Sequence, residues 1–116
     1  MTSAHHQVIV DVLPTAQARI RYTATESVVL DDHVLIPGLI NAHTHAAMTL
    51  MRGIADDQPL MIWLNNHIWP AERAIVTERY VEDASLLASA EMLSGGTTCF
   101  NDMYFYPQAT AAAASK

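Results

Sequence analysis

Apolar runs, punctuated by Pro, Gly and short polar exits, divide the chain into alternating strand and helix segments. Val8 to Leu13 reads as a strand broken by Pro14, and Thr15 is placed to cap a short helix over Ala16-Gln17-Ala18-Arg19-Ile20. Ser27-Val28-Val29-Leu30 reads as another strand, with Asp31-Asp32 as a turn. Val34-Leu35-Ile36 reads as a short buried strand, after which Pro37-Gly38 resets the chain direction. Leu39-Ile40 resumes the apolar character, and polarity returns only at Asn41, His43 and His45. That is the pattern of a buried parallel strand emerging at its C-terminal edge.

Downstream, Met61-Ile62-Trp63-Leu64 through Trp69 has helical spacing and is expected to stop at Pro70. Thr77 then caps a longer helix to about Leu93, ended by Gly95-Gly96. On that helix Ala84, Leu87, Ala88 and Glu91 share one face, and Leu86, Ala90 and Leu93 extend the apolar arc toward a sheet. Thr97-Thr98-Cys99-Phe100 has the β-branched and aromatic content of a strand. Asn101-Asp102 forms its polar exit, explained equally well by a pocket or by a turn. Pro107 suits the first position of a helix, and Gln108 to Ser115 supplies barely two turns, read either as a helix cut short or as a flexible Ala-rich end. Strand, helix, strand, helix implies an α/β fold with a parallel sheet and right-handed crossovers. The strands before Ile36 are too few and short for a sheet of their own, so further chain is expected before them.

Composition narrows the function. With 116 residues, 51% of them hydrophobic, the chain holds one small domain at most and enough apolar material for a core. A net charge of −6, with only six Lys plus Arg, offers no basic stripe for a phosphate backbone, which argues against a nucleic-acid partner and for a small neutral or cationic ligand. Nowhere do about 18 apolar residues run together, and Met1 to Gln7 has no secretory pattern, so no membrane partner and a cytoplasmic location are expected. Cys99, the single cysteine, is expected as a small buried apolar residue with no partner base and no internal disulfide.

His43 and His45 are the candidate chemistry. In an extended strand residues i and i+2 point the same way, so both imidazoles can reach one metal ion. Trp63 and Trp69, at helical spacing, read as core with pocket lining as the alternative, His67 as a helix-surface or packing residue with ligand contact as the alternative, and His5 and His6 carry no assigned role.

Three stretches resemble one family. They are Pro37-Gly38-Leu39-Ile40-Asn41-Ala42-His43-Thr44-His45-Ala46-Ala47-Met48-Thr49 with Arg52-Gly53-Ile54-Ala55-Asp56-Asp57, then Trp69-Pro70-Ala71-Glu72, then Glu91 through Tyr104. Together they resemble the amidohydrolase superfamily, in the branch of 5-methylthioadenosine/S-adenosylhomocysteine deaminases and related chlorohydrolase-like enzymes, from about Leu13 to the C-terminus. The resemblance implies a partial (β/α)8 TIM barrel: residues 37–116 would be its first one to two βα units, and residues 1–36 a remnant of the small β-rich domain. It implies that His43 and His45 ligate one divalent metal ion, zinc in the first place and iron as the alternative. Glu72 would contact substrate by accepting hydrogen bonds from ribose hydroxyls. The other ligands and the acid/base carboxylate are expected beyond Lys116.

The implied reaction is attack of metal-bound hydroxide on the amino-bearing purine carbon of 5-methylthioadenosine, S-adenosylhomocysteine or adenosine, with loss of ammonia. A sister hydrolase acting on guanine, cytosine or an s-triazine is the alternative, as is a non-catalytic truncated fragment. The partner would be a small purine nucleoside, and the full-length enzyme a homo-oligomer. The chain alone is expected to hold a metal weakly and not to turn over substrate.

Overall fold

The computed structural model describes residues 8–116, so His5 and His6 lie outside the described residues. The chain divides into two compact units, Met1–Leu35 and Ile36–Lys116.

In the first unit, helix α1 spans Thr15–Arg21. Pro14 holds the N-cap position without a side-chain hydrogen bond, so Thr15 is the first helical residue and not the cap expected of it. Asp11 ties down the other end by accepting from Arg21 Nη1 at 3.1 Å and from the Tyr22 hydroxyl at 2.8 Å. Asp31-Asp32 forms the expected turn, in which the His33 N–H donates to the Leu30 carbonyl at 3.2 Å. The strands expected over Val8–Leu13, Ser27–Leu30 and Val34–Ile36 are not formed. Their apolar side chains face solvent, Leu35 to 91% and Val28 to 72%. β-branched composition favours an extended backbone, but a strand exists only where a second strand takes up its N–H and C=O groups, and no such partner faces these segments among the described residues.

The second unit is an α/β arrangement. Strand β1 (Leu39–Thr44) leads into a 3₁₀ segment, Ala46–Met51. Helix α2 (Leu60–Trp63), a π-helical turn (Leu64–Ile68) and α3 (Trp69–Ile75) then run without a break. Helix α4 (Glu78–Ser94) carries the chain back to β2 (Thr97–Asp102), and α5 (Pro107–Ala114) follows. β1 and β2 pair in parallel, Leu39 opposite Thr97, Asn41 opposite Phe100 and Thr44 opposite Asp102, so both strands end at the same edge.

Pro70 does not stop the helix as expected. Proline lacks an N–H and clashes with the carbonyl four residues back. The chain meets both problems by widening into the π turn, where the Trp69 N–H reaches the Leu64 carbonyl five residues earlier, and Pro70 falls in the first turn of α3.

Helix α4 begins as its sequence dictates. The Thr77 hydroxyl accepts from the Tyr80 N–H at 3.2 Å, and the helix closes on Gly95 and on Gly96 at φ 85°. Its buried face is Val81, Ala84, Ser85 and Ala88, rotated from the expected one: Leu87 and Leu93 are exposed. The small side chains of that face let the 3₁₀ segment and α5 pack closely on α4. Ala47, Val81, Ala84 and Ala109 form the core there, with Val76, Tyr80 and Tyr104 against it. The core thus sits directly behind the turn that follows β1.

The strands themselves are not buried as expected. Ile40 is 73% exposed and Cys99 is exposed, because the described sheet has two strands and no layer over these positions. Gly38, read from the sequence as part of a breaker dipeptide, has a second reason to be glycine. A Cβ there would stand 2.8 Å from Thr98 Cβ and closer still to the Thr98 Oγ1 and Cγ2 atoms. Gly38→Ala is expected to destabilise the unit by about 1–3 kcal/mol through this overpacking, read as a lower midpoint in urea at unchanged slope.

Candidate functional site

The C-terminal edge of the two strands assembles the candidate residues. The strand geometry of β1 sets the His43 and His45 rings side by side, centroids 5.1 Å apart and nearly perpendicular at 83°. His45 is also the N-cap of the 3₁₀ segment. Its Nδ1 lies 2.6 Å from the Met103 carbonyl oxygen. A carbonyl can only accept, so Nδ1 carries the proton and Nε2 keeps its lone pair in the neutral ring. This is the arrangement by which proteins orient a metal-ligating histidine. The two imidazoles therefore fit part of a metal site. Among the described residues no group of three or more His, Cys, Asp or Glu side chains is arranged to hold a metal ion, so the donors present here number two.

The exit of β2 fixes the exit of β1. Asp102 Oδ1 accepts from the Ala46 N–H at 2.7 Å, and the Met103 N–H donates to the Thr44 carbonyl at 3.0 Å. Asp102 Oδ2 accepts from Thr110 Oγ1 at 3.3 Å, and Thr110 in turn lies 3.4 Å from Ser85 Oγ. Thr110 and Ser85 are buried, so the carboxylate is anchored to α5 and α4 on one side and grips the residue after His45 on the other. A polar strand exit made Asp102 a candidate in the sequence, but nothing there distinguished this grip from an ordinary turn.

Glu72, on α3, faces the same edge. Its Oε1 accepts from the Tyr104 hydroxyl at 2.9 Å. Burial, then the bond to Glu72, pushes the Tyr104 phenol above its ordinary value, so it remains a donor across the physiological range. The Tyr104 ring lies 6.3 Å from that of His45. His45, Trp63, Trp69, Glu72, Met103 and Tyr104 are among the residues lining one cleft of about 510 Å³, a volume that suits a small-molecule ligand. The reading of Trp63 and Trp69 as core gives way to its alternative: both line this cleft, Trp69 with 38% exposure. Helical spacing alone could not separate an apolar stripe facing protein from one facing a cleft. His43 is exposed and is not among the residues lining this cleft, and His67 is exposed on the helix as expected.

A second cleft of about 540 Å³ shares His45, Met48 and Trp63 with the first. It is bounded by the loop after the 3₁₀ segment, in which Gly53, Ala55 and Asp57 all have positive φ. Left-handed Ala and Asp are strained, and the loop is held by two contacts. The Trp63 indole N–H donates to the Ile54 carbonyl at 2.7 Å. Arg52 makes a forked pair with Glu91, Nη2 to Oε2 at 2.7 Å and Nη1 to Oε1 at 3.2 Å, and Thr49 Oγ1 joins it at 3.0 Å. Arg52 and Glu91 were visible in the sequence only as members of quoted motifs; their pairing across 39 positions was not.

Comparison with known proteins gives this edge a context. Residues 34–116 match the model of the amidohydrolase family. A 5-methylthioadenosine/S-adenosylhomocysteine deaminase of Saccharophagus degradans is 55% identical over 106 residues, covering 91% of this chain and 24% of that protein. A 5′-deoxyadenosine deaminase of Methanococcus aeolicus is 60% identical over 73 residues, covering 63% of this chain and 17% of that protein. Among solved structures, an adenosine deaminase from Xanthomonas campestris with bound zinc superposes with a TM-score of 0.87 at 55% identity, covering 93% of this chain and 25% of that one. The chain thus spans about a quarter or less of the length of these relatives.

Proposed function

Because the chain belongs to the amidohydrolase family, we propose that it is the N-terminal part of a metal-dependent aminohydrolase that deaminates adenine-type nucleosides. In this reading residues 37–116 open a (β/α)8 barrel, and the preceding residues belong to the small domain. The observation that carries the proposal is the His45 imidazole, whose Nδ1–H is held by the Met103 carbonyl beside His43, at the mouth of a cleft containing a carboxylate and two indoles. The names of the relatives, all deaminases of adenine nucleosides, support the substrate class. The zinc in the Xanthomonas campestris structure supports zinc as the ion His43 and His45 would help to hold.

A bound divalent cation would supply Lewis acidity, lowering the pKa of a bound water toward neutrality. The residues of this chain do the rest of what is assigned to it. His43 and His45 offer two imidazole nitrogen donors. Trp63 and Trp69 give flat apolar walls that suit a purine and displace water from it. Glu72, with Oε2 free of protein partners among the described residues, accepts hydrogen bonds from the ribose diol.

A deamination screen of the full-length enzyme tests the proposal. Ammonia is expected from adenosine, 5-methylthioadenosine and S-adenosylhomocysteine, and not from guanine, cytosine or a chlorinated s-triazine. Glu72→Ala is expected to raise KM for the nucleosides by about ten- to a hundredfold, the range for removing a hydrogen-bonding charged partner. Preference for a free base, or nucleoside KM values indifferent to Glu72, would assign the chain to a sister hydrolase.

A further inference from the structure

We infer that Tyr104 is a positioning residue for substrate selectivity: by donating to Glu72 Oε1 it holds the carboxylate so that its remaining acceptor sites face a vicinal diol. The inference rests on the proposed role of Glu72 and goes beyond it, because it assigns discrimination between ribosyl and deoxyribosyl substrates to a side chain on a different element.

The structural basis is the place of Tyr104 in the fold. It follows β2 by two residues and leaves the strand edge beside Met103, whose carbonyl holds His45. Its ring packs edge-on against Phe105, centroids 5.1 Å apart, and stands against the core formed by Ala47, Val81, Ala84 and Ala109. A ring fixed on two sides gives its hydroxyl one direction. Glu72 has no comparable support. It sits on the first turn of α3, next to the π-helical widening, and the phenol is its one side-chain partner among the described residues. The terminal torsion of a glutamate is broad, so without a donor on Oε1 the carboxylate plane turns freely. With that donor in place one oxygen is engaged, and the acceptor sites left over are oriented before substrate arrives.

Tyr104→Phe keeps the ring, its contact with Phe105 and its place against the core, and removes only the hydroxyl. In the full-length enzyme it is expected to raise KM for adenosine by about tenfold with kcat little changed, the usual effect of one lost hydrogen bond to a charged group. With 2′,3′-dideoxyadenosine, which has no diol to align, Tyr104→Phe and wild type are expected to share the same KM. A variant that loses equally on both substrates, or lowers kcat and leaves KM alone, overturns the inference, since a merely structural role has no reason to depend on the sugar. Glu72→Ala, measured beside it, separates the two levels of the argument. If Glu72→Ala discriminates between the sugars and Tyr104→Phe does not, only the positioning role falls; if neither discriminates, the assignment of Glu72 falls with it.

Discussion

His45→Ala in the full-length enzyme is expected to lower kcat/KM for adenosine by on the order of 10³-fold or more, because a catalytic metal supplies several kcal/mol of transition-state stabilisation and each 1.36 kcal/mol is a factor of ten. His43→Ala should do the same. The two losses are not expected to multiply in the double variant, since both act through one ion. Zinc content, read by competition with a chromophoric chelator, should fall with activity in each variant. His67→Ala serves as the internal control: it removes an imidazole of the same chain from an exposed helix surface outside both clefts, and neither activity nor zinc content should change. Retention of zinc and activity in His45→Ala would show that the paired rings at the end of β1 are packing residues.

The asymmetry between the two histidines adds a second expectation to the same experiment. His45 is oriented by the Met103 carbonyl and lines both clefts, whereas among the described residues no hydrogen bond is made by the His43 ring, and its backbone N–H donates to Asn41 Oδ1 at 3.3 Å. A replacement that exchanges the imidazole nitrogen for a neutral amide oxygen donor, His→Gln, is therefore expected to be tolerated better at position 43, where no oriented ring geometry is lost.

What was legible in the sequence was local. Thr77 and Gly95-Gly96 bracket α4 because a cap and a left-handed stop act within one turn, and the polar exits of β1 and β2 mark one edge because both strands run the same way. The i and i+2 spacing of His43 and His45 translated directly into neighbouring rings. Features that depend on a distant partner were not legible. Val28 and Leu35 are apolar enough for strands but have no strand to pair with among the described residues. Pro70 is absorbed by a π turn whose need arises from the helix continuing, not from any residue in it. The buried face of α4 is set by what approaches it: the 3₁₀ segment and α5 choose Val81, Ala84, Ser85 and Ala88, and leave Leu87 outside. In the candidate site, the same division separates the histidine pair, found from spacing, from the bonds of Asp102 to Ala46 and of Tyr104 to Glu72, which join residues 56 and 32 positions apart.

Asp102→Ala carries the consequence of those distant bonds furthest. The Ala46 N–H is buried, with Ala46 only 3% exposed, and Asp102 Oδ1 is its acceptor at 2.7 Å. Removing the carboxylate orphans that N–H at a cost of about 1–3 kcal/mol, and leaves the buried Thr110 hydroxyl without its acceptor as well. The unit should therefore melt earlier. More specifically, the turn after His45 loses the contact that fixes where the imidazole stands, and supporting residues around a metal site typically account for about ten- to a hundredfold in metal affinity. Zinc affinity is expected to fall by that factor in Asp102→Ala although no donor nitrogen has been touched. Asp102→Asn distinguishes geometry from charge: its amide oxygen can still accept from Ala46 and its NH₂ can donate to the Thr110 hydroxyl, so most of the affinity and stability should return. Equal loss in the two variants would mean that the negative charge of Asp102, and not its grip on the strand exit, is what the histidine pair depends on.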